Sequence, residues 1–396
     1  MKLPRVALIH DWLVTWQAGS ERVLAHMLAE FPGADVYAIL DKLPPYDRGP
    51  LEDRRVHTSF LQKIPGAARF YRSMLPLMPL AVESLDLSGY DLILSSSHAV
   101  AKGVITAPRQ LHVCYCHTPI RYAWDLQHQY LKESHLDRGI RKLLALSLLH
   151  YIRLWDLRTV PAVDHFIANS EFVARRIEKF YRREATVIYP PVDVDGFAAG
   201  GRREDFYLVV ARLVPYKRID ILLKAFERMP NRRLVVIGDG PLKKSLRAGS
   251  PPNVQFLGRQ SQESMRAHLQ RARAFLYAAE EDFGISIVEA QACGTPVIAY
   301  AAGGALETVI HERTGFLFEE QSPESVVTAI RRFESSDQNF SPEMIRRHSQ
   351  RFSDERFRRQ YRSFVLQCCS EQNFNPCLRE WAEAQSRPAA AYATGR

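Results

Sequence analysis

The sequence predicts an α/β protein built as two Rossmann-like domains with parallel sheets facing across a cleft. Three observations carry this reading. Short apolar, β-rich runs alternate with helical patterns along most of the chain, which is the pattern of a parallel sheet wrapped by helices. The alternation comes in two series, and a Pro- and Gly-rich passage separates them. At 396 residues the chain is also too long for one ordinary core and suits two.

The first series of strand-like runs covers residues 6–10, 36–40, 92–95, 112–116, 166–168 and 186–189. The second covers 206–211, 234–237, 254–257, 274–278 and 296–299. Between them Pro190, Pro191, Gly196, Gly200 and Gly201 break any regular pattern. This division gives an N-terminal domain over 1–190, a linker over 191–205 and a C-terminal domain over 206–352. Ser322 and Ser341 each precede Pro-Glu, an N-cap followed by proline at the first helical position. Residues 353–369 place Phe357, Tyr361, Phe364 and Val365 on one side of a helix. Residues 385–396 read as a disordered tail.

Hydrophobic residues make up 46% of the chain and charged residues 24%, the balance of a folded soluble protein. No run reaches the roughly eighteen uninterrupted apolar residues of a transmembrane helix. The N-terminus passes straight into a strand rather than a signal segment, so a cytosolic location is expected. A net charge of +9 favours an anionic partner such as a membrane surface or a phosphorylated substrate. No nucleic-acid-binding motif accompanies that charge, so nucleic acid is not expected as a partner. The cysteines at 114, 116, 293, 368, 369 and 377 lack the spacing of a zinc site or a disulfide framework. On a strand, Cys114 and Cys116 share one face and His117 takes the other, so these thiols are expected to be reduced and packed in the core.

The candidate chemistry centres on Glu281 and Glu289. Glu281 falls at a strand-to-helix turn and Glu289 inside the helix, whose apolar face holds Ile285, Val288, Ala292 and Cys293. In open α/β sheets ligands collect at the carboxyl ends of strands, beside helix N-termini. Two carboxylates there suit several hydroxyls, the chemistry of sugars and ribose; an ordinary solvated helix face can carry the same spacing. Arg212 and Lys217 follow another strand, where fixed cations would stabilise negative charge on a departing group; an ordinary basic loop is the plainer reading. Gly238-Asp239-Gly240 lies between a strand and a helix, but Lys243 stands where a dinucleotide fingerprint needs its third glycine, so a nicotinamide or flavin site is not expected. Gly258-Arg259 ends the next strand.

In the first domain His10-Asp11 ends the first strand, and Gly19 opens a helix at which backbone N–H groups could approach a pyrophosphate or simply begin a cap. His117 ends a later strand. Arg121, Tyr122 and Trp124 just beyond it are candidates for the acceptor side, with Lys102 and Ser97-His98 weaker ones. Residues 71–80 and 138–158 combine leucines with Arg and Lys, and could either dip into an anionic leaflet or pack as buried helices. Asp193-Val194-Asp195 is a metal-binding triplet of another fold, but it sits in the linker, so no metal is expected.

Glu281 to Glu289 continues as Ala290-Gln-Ala-Cys-Gly-Thr-Pro-Val-Ile298, Gly303-Gly304-Ala-Leu-Glu307 and Thr314-Gly315-Phe-Leu-Phe318. With Ile188-Tyr-Pro-Pro-Val-Asp193 and Ala211-Arg-Leu-Val-Pro-Tyr-Lys217, this closely resembles the donor-binding half of the family 4 retaining glycosyltransferases, most strongly over roughly residues 165 to 335. The resemblance implies a GT-B fold, a nucleotide-sugar donor, and a C-terminal helix over 353–384 that returns to the first domain. It also implies residue roles. Glu281 would hold hydroxyls of the donor hexose, with backbone N–H groups of Phe283, Gly284, Ile285 and Ser286 on the sugar and phosphate, and Glu289 would bind ribose. Arg212 and Lys217 would hold the diphosphate, Gly238, Asp239, Gly258 and Arg259 would lie beside the donor, and His117 would contact the hexose near its reacting carbon. Ala18-Gly19-Ser20 holds a single glycine where many relatives have two.

The His10-Asp-Trp12, Ser95-to-His98 and Tyr115-to-Pro119 stretches resemble the bacterial O-antigen mannosyltransferase branch. On that resemblance GDP-mannose is the first expected donor, with a UDP-sugar as the other. The acceptor is expected to be a glycan or lipid-linked glycan, with peripheral contact at the inner face of the cell membrane and no cofactor. A sugar-nucleotide epimerase of similar fold and a non-catalytic glycan- or partner-binding protein remain open.

Overall fold

Each series of apolar runs becomes one parallel sheet in the computed structural model of the chain, which describes residues 3–16, 19–197, 203–336 and 340–386. The first sheet contains β1 (Val6–His10), β2 (Asp35–Ala38), β3 (Val56–Thr58), β4 (Leu92–Ser97), β5 (Leu111–Cys116), β6 (His165–Ala168) and β7 (Ala185–Val187), in the order β3-β2-β1-β4-β5-β6-β7. The second contains β8 (Tyr207–Val210), β9 (Leu234–Ile237), β10 (Val254–Gly258), β11 (Ala274–Tyr277), β12 (Val297–Tyr300) and β13 (Gly315–Phe318), in the order β10-β9-β8-β11-β12-β13. Strands buried on both faces explain the continuous apolar runs: β1, β4 and β5 are buried along their whole length. Each order reverses once, between β1 and β4 and between β8 and β11, and these reversals place the crevices in which such sheets hold ligands.

Two strands were not expected from the sequence. β3 is a three-residue, half-buried edge strand, too short to show alternation. β13 begins at Gly315, where a Cβ would stand 1.8 Å from the Val297 carbonyl oxygen, so glycine permits close pairing with β12 in a run too short to score as a strand.

The chain divides into two units, residues 1–189 with 357–396, and residues 190–356. Helix Asp354–Ser370 contributes Phe357, Tyr361, Val365 and Leu366 to the core that also holds Leu8, Val23, Met27 and Leu94 of the first unit. Phe357 and Tyr361 stack with ring centroids 5.6 Å apart. The segment expected as one helix over 353–384 is two. A break at Gln372 to Asn375 precedes helix Pro376–Ser386, and the Asn375 amide holds the break by donating to Asp91 and to the Arg109 carbonyl. The passage read as a linker is anchored on the second unit wherever it is described. Val192 N–H donates to the Phe352 carbonyl at 3.0 Å, and Arg266 pairs with Asp193 and lies over the Phe197 ring. Residues 198–202 lie outside the described residues, as does most of the expected tail. None of the six cysteines forms a disulfide, and only Cys377 is not buried. No described helix is long and apolar enough to cross a membrane.

Candidate functional site

The carboxyl ends of β8 and β11, on either side of the reversal in the second sheet, bring Lys217 and Glu281 together. Lys217 closes a 3₁₀ turn, Pro215–Lys217, which proline opens at its first position a few residues beyond β8. Its ammonium forms an ion pair with Glu281, and both side chains are largely enclosed, 14% and 20% exposed. Tyr277, the last residue of β11, donates its hydroxyl to the other Glu281 oxygen. The Lys217 ammonium also lies 5.6 Å from the Tyr277 and Tyr216 ring centroids. Arg212 stands exposed in the same loop. An oriented carboxylate beside an enclosed cation can hold a sugar hydroxyl next to a phosphate.

Glycines allow the loops to close around this pair. Gly303 has φ +58°, and a Cβ there would meet the Glu281 carbonyl oxygen at 2.2 Å; a Cβ on Gly304 would meet Phe283 Cα at 2.3 Å. Gly304 N–H donates to the Glu281 carbonyl at 2.8 Å, fixing the loop that carries the carboxylate. Gly303→Ala is therefore expected to cost about 1–3 kcal/mol, measurable as a lower denaturant midpoint. Gly284, at φ +87°, starts helix Ile285–Ala292. The N–H groups of Ile285 and Ser286 open that helix, where intrahelical partners are lacking. Phe283 is buried against Phe352, ring centroids 5.4 Å apart. Glu289 is buried within the helix at 6% exposure.

Gly238, Asp239, Gly258 and Arg259 gather at the ends of β9 and β10. A Cβ on Gly238 would strike the Ala211 carbonyl oxygen at 1.8 Å, so this glycine lets the β9 loop lie on the loop that carries Arg212. Gly238 N–H donates to the Gly258 carbonyl at 2.9 Å. Asp239 pairs with Lys243 at 2.8 Å, and that contact holds its carboxyl below the usual range, with Arg259 adding to the effect.

In the first unit a polar cluster occupies the reversal between β1 and β4. Asp11 accepts four backbone N–H bonds, from residues 98 to 101, at 2.6–3.0 Å. His98 lies 2.9 Å from the same carboxylate. Ser96 Oγ joins His10 Nδ1 at 3.1 Å to His117 Nε2 at 2.9 Å, and Gly19 begins helix Gly19–Glu30, which brings Glu21 into the buried region. Burial alone would raise the Asp11 carboxyl, but the charge and hydrogen bond of His98 outweigh it and hold it well below the ordinary range. Burial, with His98 nearby, pushes His10 down to about 4 and His117 well below its usual value, and burial takes His112 to about 4. His98 is raised, because Asp11 overcomes the cost of burial.

These shifts predict acid sensitivity. Unfolded histidine takes its proton near 6.5, whereas folded His10 and His112 stay neutral down to about 4. Between those values the unfolded chain binds more protons, so their contribution is complete above about pH 6.5 and is lost as pH falls toward 4. His98, raised by Asp11, works the other way, because the folded residue takes its proton at higher pH than the unfolded one, and Glu21, raised by burial, does the same; His10, His112 and His117, all lowered by burial, outnumber them. All five tryptophans, at 12, 16, 124, 155 and 381, belong to the first unit. Urea unfolding followed by tryptophan fluorescence is therefore expected to show a lower midpoint at pH 5 than at pH 7.5.

Two first-unit expectations change. Lys102 is not a ligand-facing cation: at 1% exposure it pairs with Asp156 at 2.9 Å and donates to the Asp156 carbonyl and to Thr159 Oγ1, both at 2.7 Å. Trp124 donates its indole N–H to Asp156 at 2.8 Å and stacks on Phe180, so it holds the turn Arg121–Ala123 in place. Tyr122 packs near Tyr130, and Arg121 lies beside it in that turn. The triplet's Asp193 caps Gly196 N–H at 2.8 Å, and Asp195 accepts from Gln350. Tyr277 and Ser96 were not singled out from the sequence; a tyrosine ending an apolar strand four residues before Glu281 was the available signal for the first.

Residues 18–195 match the model of the Glycosyltransferase Family 4 domain, and residues 199–351 match that of the Glycosyl transferases group 1 domain. The D-inositol 3-phosphate glycosyltransferase of Mycobacterium sp. (strain KMS) is 33% identical over 188 residues, which are 41% of this chain and 43% of that protein. The chain thus spans less than half the length of the curated relatives it matches. Among solved structures, HepE of Anabaena in complex with UDP is similar with a TM-score of 0.65 at 20% identity, covering 91% of this chain and 99% of that one. Sucrose-phosphate synthase of Thermosynechococcus elongatus is similar with a TM-score of 0.68 at 18% identity, covering 92% and 98%. The lipopolysaccharide outer core galactosyltransferase WaaB gives 0.63 at 17%, covering 92% and 99%. With two parallel-sheet domains of the GT-B fold, and the two domain models together covering most of its length, the chain belongs to the family 4 glycosyltransferases.

Proposed function

We propose that the chain is a retaining, metal-independent hexosyltransferase that moves a sugar from a nucleotide donor to an acceptor hydroxyl. The observation that carries this is the Lys217–Glu281 pair at the reversal of the second sheet. A donor placed there would bring its diphosphate to Lys217 and Arg212 and its hexose hydroxyls to Glu281. The leaving nucleoside diphosphate gains negative charge as the glycosidic bond breaks, and fixed cations in an enclosed site stabilise that charge more in the transition state than in the substrate. Glu289 would take the ribose, the N–H groups of residues 283–286 the sugar and phosphate, and Gly238, Asp239, Gly258 and Arg259 the neighbouring part of the nucleotide. In the first unit His117 would reach the hexose and Gly19 the pyrophosphate, with Arg121 and Tyr122 toward the acceptor. Retention would follow from attack on the same face, with the donor phosphate accepting the hydroxyl proton.

GDP-mannose is the first donor to test and a UDP-sugar the second, the latter because HepE was solved with UDP-glucose. A glycan or lipid-linked glycan acceptor would belong to bacterial surface polysaccharide synthesis, at the inner face of the cell membrane. Incubating the protein with each donor and candidate acceptors, with product configuration read by NMR, tests the reading. A retained anomer with activity undiminished by EDTA is expected. Conversion of the nucleotide sugar with no acceptor present would indicate the epimerase instead, and inversion would overturn the mechanism.

A further inference from the structure

Large apolar side chains stand exposed at seventeen described positions, and six of them lie on one helix, Gly139–Arg158: Ile140, Leu143, Leu144, Tyr151, Leu154 and Leu157. At about 100° per residue they fall within an arc of roughly 140° on one side. Leu149, Ile152 and Trp155 of the same helix are buried. The outward arc is completed by Ser147, His150 and Arg158, with no acidic residue in it. The stripe does not end with the helix. Glu83 accepts from the Trp155 indole and pairs with Arg158, which ties helix Met78–Glu83 alongside. That neighbour adds exposed Leu77 and Leu80, while Leu75 packs under the patch with Leu146 and Leu148.

Charge identifies the occupant. Arg138, Arg141 and Lys142 stand exposed at the start of the helix and Arg158 at its end. Asp137, 4.0 Å from Arg138, and Glu83, paired with Arg158, are the acids that adjoin them, and the helix's own Asp156 is buried against Lys102. A second copy of the chain on this face would set the exposed cations Arg138, Arg141 and Lys142 against a face whose acids, Asp137 and Glu83, already adjoin Arg138 and Arg158. We propose that this face docks the protein on an anionic phospholipid bilayer, the leucines entering the headgroup boundary and the Arg and Lys side chains meeting lipid phosphates. The proposal rests on the transferase reading only for why a membrane matters, since a lipid-linked acceptor would be presented there.

The test is flotation of the purified 396-residue chain with vesicles of phosphatidylglycerol and phosphatidylcholine, and with phosphatidylcholine alone. Strong binding to the anionic vesicles is expected, falling tenfold or more for Leu143→Glu with Leu154→Glu. Arg141→Glu with Lys142→Glu should remove the preference for anionic lipid. Because these positions are exposed, the tryptophan-monitored unfolding midpoint and sugar-nucleotide binding should not change. That separates a failure of docking from a failure of the transferase reading. Absence of wild-type binding, or equal binding by the leucine variant, overturns the proposal. So does self-association of the wild type, seen by sedimentation velocity and abolished by the same variant without any vesicle binding, which would assign the face to a second copy.

Discussion

Lys217→Ala and Glu281→Gln are each expected to lower kcat by about 10²- to 10³-fold, the usual loss when one preorganised charge at the reacting centre is removed. Both losses arise from a single pair that is largely enclosed. Removing the lysine withdraws the cation that stabilises the departing diphosphate and also takes from Glu281 the ion pair that orients it beside its tyrosine contact. Removing the carboxylate frees the lysine but loses the grip on the hexose. The double variant should therefore fall well short of the product of the two single effects, as for residues that share one interaction. Steady-state kinetics on the four proteins of this cycle, with circular dichroism to show an intact fold, provide the check. Tyr277→Phe keeps the pair and removes only the oriented hydroxyl, so its effect should be smaller, about 1 kcal/mol in kcat/KM.

The largest stability effect is expected at Lys102. Replacing it with alanine leaves the fully buried Asp156 carboxylate with only the Trp124 indole and the Tyr181 hydroxyl as donors. Breaking a buried pair from one side costs about 3–5 kcal/mol. Urea unfolding of the first unit, read by tryptophan fluorescence, should show a loss of that size. Lys102→Met combined with Asp156→Leu should recover part of it, because no uncompensated charge then remains; full recovery is not expected, since Trp124 and Tyr181 lose an acceptor. A single-variant loss below about 1 kcal/mol would mean that Lys102 does not hold this core together.

What the sequence conveyed depended on how local the signal was. The two parallel sheets were legible because strands buried on both faces write continuous apolar runs, whereas the edge strand at Val56–Thr58 is too short and too exposed to do so. Lys217 and Glu281 were legible as separate motif residues, but that they pair was not, since sixty-odd residues and a change of strand order lie between them. Tyr277 passed as one more apolar strand residue because its hydroxyl has no periodicity. The His10, Ser96, His98 and His117 cluster is assembled from the ends of three strands, 86 residues apart for the His10–Ser96 contact alone. Lys102 was misread for the same reason: a lysine in sequence looks like a solvent- or ligand-facing cation, and Asp156, the residue that makes its burial tolerable, is 54 positions away. The leucines of 138–158 left two readings open, and their spacing did not say which of them pack: Leu149 is buried, whereas Leu143, Leu144, Leu154 and Leu157 are exposed.

The measurement that tests the central claim most directly is calorimetric titration of the purified chain with GDP-mannose and UDP-glucose, repeated on Lys217→Ala and Glu281→Ala. Selective binding of one donor, weakened at least tenfold by either substitution, about 1.4 kcal/mol, is the predicted result. A folded wild-type protein that binds neither nucleotide sugar, or variants that bind as tightly as it does, would contradict the assignment of this pair as the donor site.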